Sequence, residues 1–347
     1  MKASAGKRIL MLLENNPFPG DPRVRREAET LTAAGYQVTV ISPKSPKVKN
    51  HPKREKVNDI YVYRFSAPSK ASSFGGYLWE YSYSMIVTFL ISLMVYFREG
   101  FDTVHAHNPP DTFVFIAIFY KLLGKRFVFD HHDLSPEMYY YARFGDRGNR
   151  FVFNGLILLE KLTFRFADQV ISTNESYKKI AMERGQVPEE QITIVRNGPD
   201  LNRLKLVEPD STLRKKGKTI ITYVGALGIQ DGLDYLLRAL RHLIIDLNRS
   251  DFYCVIIGSG IALSSLKQLA DELDLHNHVW FTGYVSDTDL IRYLSTGDIC
   301  VDPDPSNPFN DRSTMIKMME YMALGKPIVA FDLPEHRVTA GDAAVYA

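Results

Sequence analysis

The run Asn310-Asp311-Arg312-Ser313-Thr314-Met315-Ile316-Lys317-Met318-Met319-Glu320-Tyr321-Met322-Ala323-Leu324-Gly325-Lys326-Pro327-Ile328-Val329 reads as a polar loop, a helix, a stop and a strand. Ser313 or Thr314 is placed to cap the helix by accepting from its first free amides. Gly325 is expected to end it in a left-handed cap, and Pro327 bars continuation. Met315, Met318, Met319 and Met322 recur at helical spacing and are expected to face a core. Lys317 and Glu320 remain one turn apart on another face. A helix start bearing hydroxyls, with Arg312 and Lys317 nearby, suits an anion. Glu320, one turn further in, can accept two hydroxyls of a diol such as a ribose. Alone, the run reads equally as a capped surface helix with an i,i+3 ion pair.

Upstream of this run the chain alternates strand and helix. Strands are expected at 219–224, 252–257, 279–281 and 298–301, separated by helices at 233–247, 262–273 and 287–294. Alternation of this kind means a parallel sheet. Gly225 opens the loop after the first of these strands. Gly258-Ser259-Gly260 opens the next loop, although a lone G-x-G is a weak phosphate signal. Asp302-Pro303-Asp304 has the acidic spacing of a metal-diphosphate pair, but its central proline makes it an exit turn.

The first half repeats the pattern. A strand at 8–13 leads into the rigid loop Pro17-Phe18-Pro19-Gly20-Asp21-Pro22. A helix follows at 22–34, with Asp21 as cap and Pro22 at its first position, then a strand at 37–41. Strands at 101–105 and 126–130 end in His105-Ala106-His107 and in His131-His132-Asp133. Open α/β sheets place ligands at this edge. The expected domains are therefore 1–198, a polar linker at 199–217, and 218–347. Facing strand edges would place a ligand between the domains.

The 347 residues suffice for two domains, and 45% hydrophobic with 24% charged content is ordinary for globular proteins. A net charge of +2 argues against nucleic acid as the main partner. Cys254 and Cys300 each sit in an apolar run, which indicates buried thiols in a reducing compartment and no cysteine-based metal site. Residues 1–8 are basic, but the apolar run after them is too short for a signal peptide. A cytoplasmic enzyme is the resulting expectation.

Residues 43–56 form a lysine- and arginine-rich loop, expected to be mobile and solvated, with a surface for anionic lipid as its second reading, and 77–97 is an apolar helix whose Ser84, Thr88 and Ser92 fall four apart. The uncharged part is short for a span. The expectation is a buried or half-buried helix, with peripheral attachment to the inner face of a membrane as the second reading. His105, His107, His131, His132 and Asp133 could ligate a metal, but no helical H-x-x-x-H supports this, and the expected metal is none. His132 beside Asp133 reads better as a polar group facing a ligand.

Taken together these loops resemble the retaining family-4 glycosyltransferases of the GT-B fold, two Rossmann-like domains. The resemblance rests on Pro-Phe-Pro-Gly-Asp-Pro-Arg-Val with Arg25, Arg26 and Glu27, on Val104-His105-Ala106-His107, His132-Asp133 and Arg196-Asn197-Gly198-Pro199-Asp200. It continues through Tyr223-Val224-Gly225, Asp231-Gly232-Leu233-Asp234, Gly258-Ser259-Gly260, Phe281-Thr282-Gly283-Tyr284-Val285, and Glu320 through Pro327. It implies an EC 2.4 transferase that moves a sugar from a nucleotide sugar to a glycan or lipid-linked acceptor, without cofactor and commonly without metal. Surface or exopolysaccharide synthesis is the expected setting. Glu320 matches the second glutamate of the family's E-x7-E motif, which binds the ribose. Tyr284 and Val285 would meet the base through their backbone, Gly20 would approach the diphosphate, and His132 would lie beside the sugar. His132, Asp133 and Glu320 are the implied catalytic set. Gly20, Asn197, Gly225, Gly258, Gly260, Tyr284, Val285, Arg312, Ser313, Thr314, Lys317 and Glu320 are the implied donor-binding set.

The chain departs from the family in three places. Arg312 stands where the first glutamate of E-x7-E is expected. Ala226 and Asp231 stand where the family has phosphate-binding Arg and Lys, so Arg312 and Lys317 are expected to replace them. The family pattern also continues with helices past the position of Ala347. Two other readings share the architecture: a nucleotide-sugar 2-epimerase using Asp133, Glu137 and His132, and a nucleotide-sugar-binding protein without turnover.

Overall fold

The protein is described here by a computed structural model covering residues 7–45, 48, 50–68, 74–144, 147–216 and 218–347. The basic stretch before Lys7, Lys47 and Lys49 of the basic loop, and Gly217 of the expected linker lie outside the described residues, as do the side chains at 77 and 78. The chain divides into two compact units. Unit 1 holds residues up to Pro136 together with Phe151–Arg196, and unit 2 holds Glu137–Arg150 and Asn197–Ala347. Residues 137–150, placed by sequence in the first domain, therefore belong with unit 2.

Unit 1 is built on an eight-stranded sheet of order β3-β4-β2-β1-β5-β6-β7-β8. The strands are β1 (Arg8–Leu12), β2 (Gln37–Pro43), β3 (Arg54–Val57), β4 (Ile60–Phe65), β5 (Thr103–His107), β6 (Arg126–His131), β7 (Gln169–Ser172) and β8 (Ile192–Ile194). All neighbours pair in parallel except β3 with β4. Leu10, Leu12, Val104, Phe127 and Phe129 fill the core on one side, and Ile9, Met11, Val38 and Val40 fill it on the other. Helix α1 (Pro22–Ala33) starts as its sequence dictates: Asp21 Oδ1 accepts from Val24 N at 2.9 Å, and Pro22 occupies the first turn.

The last residues of the expected basic loop form a strand. Arg54–Val57 is an antiparallel edge strand, joined to β4 by Asn58 and Asp59, both with positive φ (48° and 66°). A two-residue turn of this kind matches the twist of a hairpin, and Asn and Asp tolerate it. Edge charges such as Arg54 and Lys56 also guard against pairing with another chain.

Helix α2 (Phe74–Arg98) shows one face inward and one outward. Ser84, Thr88, Ser92 and Val95 are buried, so the small hydroxyl face does allow close packing. Ser84 Oγ donates to Glu14 Oε1 at 3.2 Å, and Ser92 Oγ lies 2.8 Å from Tyr120 Oη on α3 (Val114–Leu122). Trp79, Ile86, Leu90, Met94 and Phe97 are exposed on the other face. Trp79–Arg98 is long and apolar enough to cross a membrane by length and composition, yet its inner face is part of the unit 1 core.

Unit 2 carries a six-stranded parallel sheet of order β11-β10-β9-β12-β13-β14. Its strands are β9 (Thr219–Val224), β10 (Phe252–Ile257), β11 (Val279–Gly283), β12 (Ile299–Asp302), β13 (Ile328–Ala330) and β14 (Ala344–Tyr346). The expected linker is not a free connector. Leu204 and Leu213 are buried in the unit 2 core, and Val207 N and Asp210 N donate to Ser295 Oγ and Thr296 Oγ1. Two leucines in an otherwise polar stretch are enough to dock it, because each buried side chain gains about 1.5–3 kcal/mol.

The helix of the opening run spans Ile316–Ala323. Gly325 has φ 58°, with Lys326 N bonded to Tyr321 O and Gly325 N to Met322 O, the left-handed stop expected from sequence. Of the four methionines, Met318 is fully buried, and Met315 and Met322 pack partly against the same core. Tyr321, also fully buried, has a role that the periodicity does not reveal. Strands β9 and β12 pair only at Ile221–Ile299 and Thr222–Cys300. Beyond that the Tyr321 hydroxyl bridges them, accepting from Val224 N at 3.1 Å and donating to Val301 O at 3.2 Å. Tyr321→Phe strands both backbone groups and is expected to cost about 1–3 kcal/mol in urea unfolding. A loss below about 0.5 kcal/mol would mean that the strands close without the bridge.

Candidate functional site

In unit 2 the chemistry-bearing loops follow the C-terminal ends of the parallel strands. Gly225 follows β9, Gly258 and Gly260 follow β10, Tyr284 and Val285 follow β11, and Asp304 follows β12. The glycines serve loop packing. Gly258 has φ 139°, and a Cβ there would sit 1.9 Å from Gly225 O. A Cβ on Gly260 would meet Leu227 O at 2.4 Å. Because the obstructing atoms are backbone, only glycine fits. The G-x-G thus brings two loops together, and the space its missing side chains leave is filled by the neighbouring loop. Tyr284 is 80% exposed, while Val285 packs partly on the core. Asn197 opens the second segment of unit 2, and Gly20 lies in the loop between β1 and α1 of unit 1, where its N closes a turn onto Pro17 O at 2.7 Å.

Three expectations for the opening run need correction. The helix N-cap is Met315, which makes no side-chain cap bond. Ser313 Oγ donates to Phe309 O and Thr314 Oγ1 to Glu335 Oε2. The methionine enters at the cap because the chain before it, Asn310–Arg312, closes a separate 3₁₀ turn. Arg312 Nη1 donates to Pro308 O in that turn.

Lys317 is not a surface cation. Its side chain is 10% exposed, with Nζ 2.8 Å from Asp304 Oδ1, 3.0 Å from Asp302 Oδ1 and 3.7 Å from Asp231 Oδ1. The ammonium also lies 4.9 Å from the centre of the Tyr223 ring. Burial alone would lower its pKa, but the surrounding carboxylates raise it well above the usual lysine value. Burial lifts Asp304 to about 7 against the pull of Lys317. The exit-turn reading of Asp302-Pro303-Asp304 agrees with their burial, and Lys317 is what makes that burial tolerable. Lys317 ties the turn after β9 to the end of β12 and the turn beyond it.

Glu320 pairs with a residue other than Lys317. Its Oε1 accepts from Arg203 Nη2 at 3.0 Å, and Arg203 Nη1 also bonds Asp287. Arg203 lies in the stretch read as linker, so sequence order gave no sign of this pair. A cavity of about 410 Å³ lies elsewhere in the unit, lined by Tyr141, Gln230, Asp234, Tyr235 and Asn307 among others. None of the expected donor-binding residues lines it.

In unit 1 the strand ends gather a different cluster. Side chains alternate along a strand, so Asp130 and His132 share one side of β6 while His131 takes the other. His131 Nε2 lies 3.2 Å from Glu160 Oε1, and Arg184 Nη1 donates to Glu160 Oε2 at 2.7 Å. This histidine is a core residue paired through Nε2, with its Nδ1 buried and unbonded among the described residues. Asp130 is fully buried and receives a two-pronged pair from Arg23, Nε to Oδ2 at 2.7 Å and Nη2 to Oδ1 at 2.6 Å. His107 Nδ1 lies 2.8 Å and His132 Nδ1 3.3 Å from Asp130 Oδ2. Burial opposes ionisation of Asp130, yet Arg23 and His132 hold its pKa well below the carboxylate range.

His132 responds in kind. Burial lowers its pKa, and the Asp130 carboxylate outweighs this and lifts it to about 9. Burial raises Asp133. Asn108 sets the backbone of this turn: its Oδ1 accepts from His132 N at 2.9 Å and Asp133 N at 3.1 Å, and its Nδ2 donates to Asp133 O at 2.6 Å. The structure thus brings His132 and Asp133 together. The sequence carries no sign of the positioning roles of Arg23 and Asn108, which lie tens of residues from Asp130 and His132, or of Asp130, which reads only as the end of a strand.

Two parallel-sheet units with polar loops at their strand ends define the GT-B class of fold. The sequence profile of Glycosyltransferase Family 4 matches residues 23–203, and that of Glycosyl transferases group 1 matches residues 206–344. The chain belongs to glycosyltransferase family 4. An uncharacterised glycosyltransferase of Methanocaldococcus jannaschii is 30% identical over 180 residues, 49% of this chain and 44% of that protein. The matched stretch thus spans under half of this relative's length. Among solved structures, sucrose-phosphate synthase from Thermosynechococcus elongatus superposes with a TM-score of 0.74 at 18% identity, over 96% of this chain and 83% of the other. HepE of Anabaena, solved in complex with UDP and glucose, gives 0.67 at 16% identity, over 95% and 82%.

The charge on His132 predicts a pH dependence. Its folded pKa, about 9, lies above the usual 6.5, so its stabilising contribution is complete below 6.5 and is lost as pH rises through 9. Glu27 and Asp133, both raised by burial, add a decline in the same direction at lower pH. The melting temperature is expected to fall between pH 6.5 and 9, and His132→Gln to flatten that fall. Equal slopes in both proteins would mean that His132 is neutral in the fold.

Proposed function

We propose that this chain transfers a glycosyl group from a nucleotide sugar, bound by unit 2, to a hydroxyl of a glycan or lipid-linked acceptor, with retention of anomeric configuration. The setting we propose is surface or extracellular polysaccharide synthesis in the cytoplasm. The observation that carries this reading is Glu320, on the helix after β12, with its carboxylate oriented by Arg203. A carboxylate can accept both hydroxyls of a ribose diol, and the Arg203 bond holds this one in place. HepE, of the same fold, is a structure with UDP and glucose. In the reaction the bond from the sugar's anomeric carbon to the diphosphate oxygen breaks and the acceptor oxygen bonds to that carbon. The acceptor proton leaves on the diphosphate. His132, cationic and partly accessible, is assigned to the sugar, with Asp130 maintaining its charge and Asn108 its position. No metal on the diphosphate is part of this proposal.

Incubating the chain with a panel of labelled nucleotide hexoses and extracted glycolipid tests the reading. Label is expected in a glycoside only when acceptor is present. Glu320→Gln is expected to weaken donor use tenfold or more, about 1.4 kcal/mol. An epimer formed from donor alone would mean an epimerase, and donor binding without turnover would mean a binding protein.

Attachment to the inner face of a membrane is supported by the outer face of α2. Trp79, Ile86, Leu90, Met94 and Phe97 form one exposed stripe at helical spacing. Exposed Phe115 and Leu122 lie on α3, which packs on α2 through Phe89 and Phe119 with ring centres 5.1 Å apart. Apolar stripes of this size rarely face water without purpose. In sedimentation with phosphatidylglycerol vesicles the chain is expected to bind, and Leu90→Ser with Phe97→Ser to lose most of that binding. Unchanged sedimentation would assign the stripe to another partner.

A further inference from the structure

We propose that Glu27, His105 and His107 form a binding site for one divalent transition-metal ion inside unit 1. Strand alternation places His105 and His107 on the same face of β5, their rings stacked with centres 4.4 Å apart. Glu27 lies one turn beyond Arg23 on α1 and faces both. Its Oε2 is 3.7 Å from His105 Nε2 and 3.8 Å from His107 Nε2. These separations are too long for hydrogen bonds. Both Nε2 atoms and both carboxylate oxygens are buried without a hydrogen-bond partner among the described residues, and Glu27 Oε1 forms an ion pair with Arg23 Nε at 3.3 Å, which leaves Oε2 toward the histidines. His105 is 5% exposed and His107 is fully buried.

Protonation makes this gap costly if nothing fills it. Asp130 takes the bond from His107 Nδ1 at 2.8 Å while also held by Arg23. In a neutral ring Nδ1 then carries the proton, and Nε2 turns a lone pair toward the Glu27 carboxylate at 3.8 Å, with no hydrogen bond between them. A four-coordinate ion bonded to nitrogen and oxygen at about 2.0–2.1 Å holds its ligand atoms roughly 3.3–3.4 Å apart. The two Glu27–histidine separations need to close by only a few tenths of an ångström to reach that value, and all the ligand atoms lie within 4.8 Å of one another.

The ligand set also has the right chemistry. Two imidazoles and one carboxylate suit Zn²⁺ or Fe²⁺, with a position left for water. The His107–Asp130 bond is the outer carboxylate that metal-bound histidines usually have. Asp130 and Glu27 supply the negative charge against Arg23 and the ion. The Asp302, Asp304 and His336 cluster of unit 2 makes a useful contrast. It gathers a comparable donor set, but the Lys317 ammonium already occupies its centre, so no ion is assigned there. The proposed ion ties α1 to β5 beside His132 and acts as a brace of that strand edge, not as a group on the diphosphate.

The test uses the whole chain, stripped with chelator and then titrated with Zn²⁺ and with Co²⁺. One ion per chain is expected, with a visible d–d band of four-coordinate Co²⁺ and a rise in melting temperature on adding Zn²⁺. Glu27→Gln and His105→Gln keep the fold's volume and are each expected to lose the band and weaken Zn²⁺ by roughly tenfold or more. Circular dichroism confirms that each variant is folded. Wild-type chain without a stoichiometric ion or band overturns the proposal. So does binding that both folded variants retain, since it would lie elsewhere.

Discussion

One buried carboxylate, Asp130, organises the strand edge of unit 1. An isolated carboxylate in that position would take up a proton rather than remain charged. Arg23, His107 and His132 prevent this by surrounding it, and each is fixed in return. The arginine ties α1 to β6, His107 ties β5 to β6, and His132 is held charged at the end of the strand. The preceding Pro17–Asp21 loop is held from the other side, where Arg64 donates to Phe18 O and pairs with Glu55. A polar ligand edge is thus built by charges that satisfy one another before any ligand arrives.

Unit 2 solves the same problem with the signs reversed. There the central group is a cation, Lys317, and the surrounding carboxylates come from the turns after β9 and β12. Tyr321, one turn along the same helix, bridges the two strands where their own pairing ends. One helix therefore sets the spacing of two loops, and Glu320 between those residues is presented with its geometry already settled. The departures from the family pattern at Ala226, Asp231 and Arg312 take on a different meaning. Asp231 is a partner for Lys317, and Arg312 donates within its own turn, so both departures also serve the packing of unit 2.

Much of the fold was legible in the residues because its signals are local. The alternation of apolar strands with capped helices, Asp21 and Pro22 at one helix start, and Gly325 at one helix end depend on residues within a turn of one another. The family resemblance rests on loops of the same local kind. The segments misread were those whose character depends on distant partners. Residues 54–57 look like a charged loop until β4 supplies a ladder, and 199–217 looks like a linker until Leu204 and Leu213 find a core.

The sequence by itself determined the class of fold, the two-unit plan and the neighbourhood of Glu320 and His132. Periodicity, caps and turn residues act within a few positions, and no tertiary contact is needed to read them. Only the tertiary structure decided what each polar side chain does. Lys317, read as a surface cation, is a buried counter-ion, Gly258 and Gly260 are positions where only glycine lets two loops pack, and Glu27 faces His105 and His107. The free energy of a buried charge depends on what surrounds it in space. Those surroundings come from residues as far apart in sequence as Arg23 and Asp130, or Arg203 and Glu320.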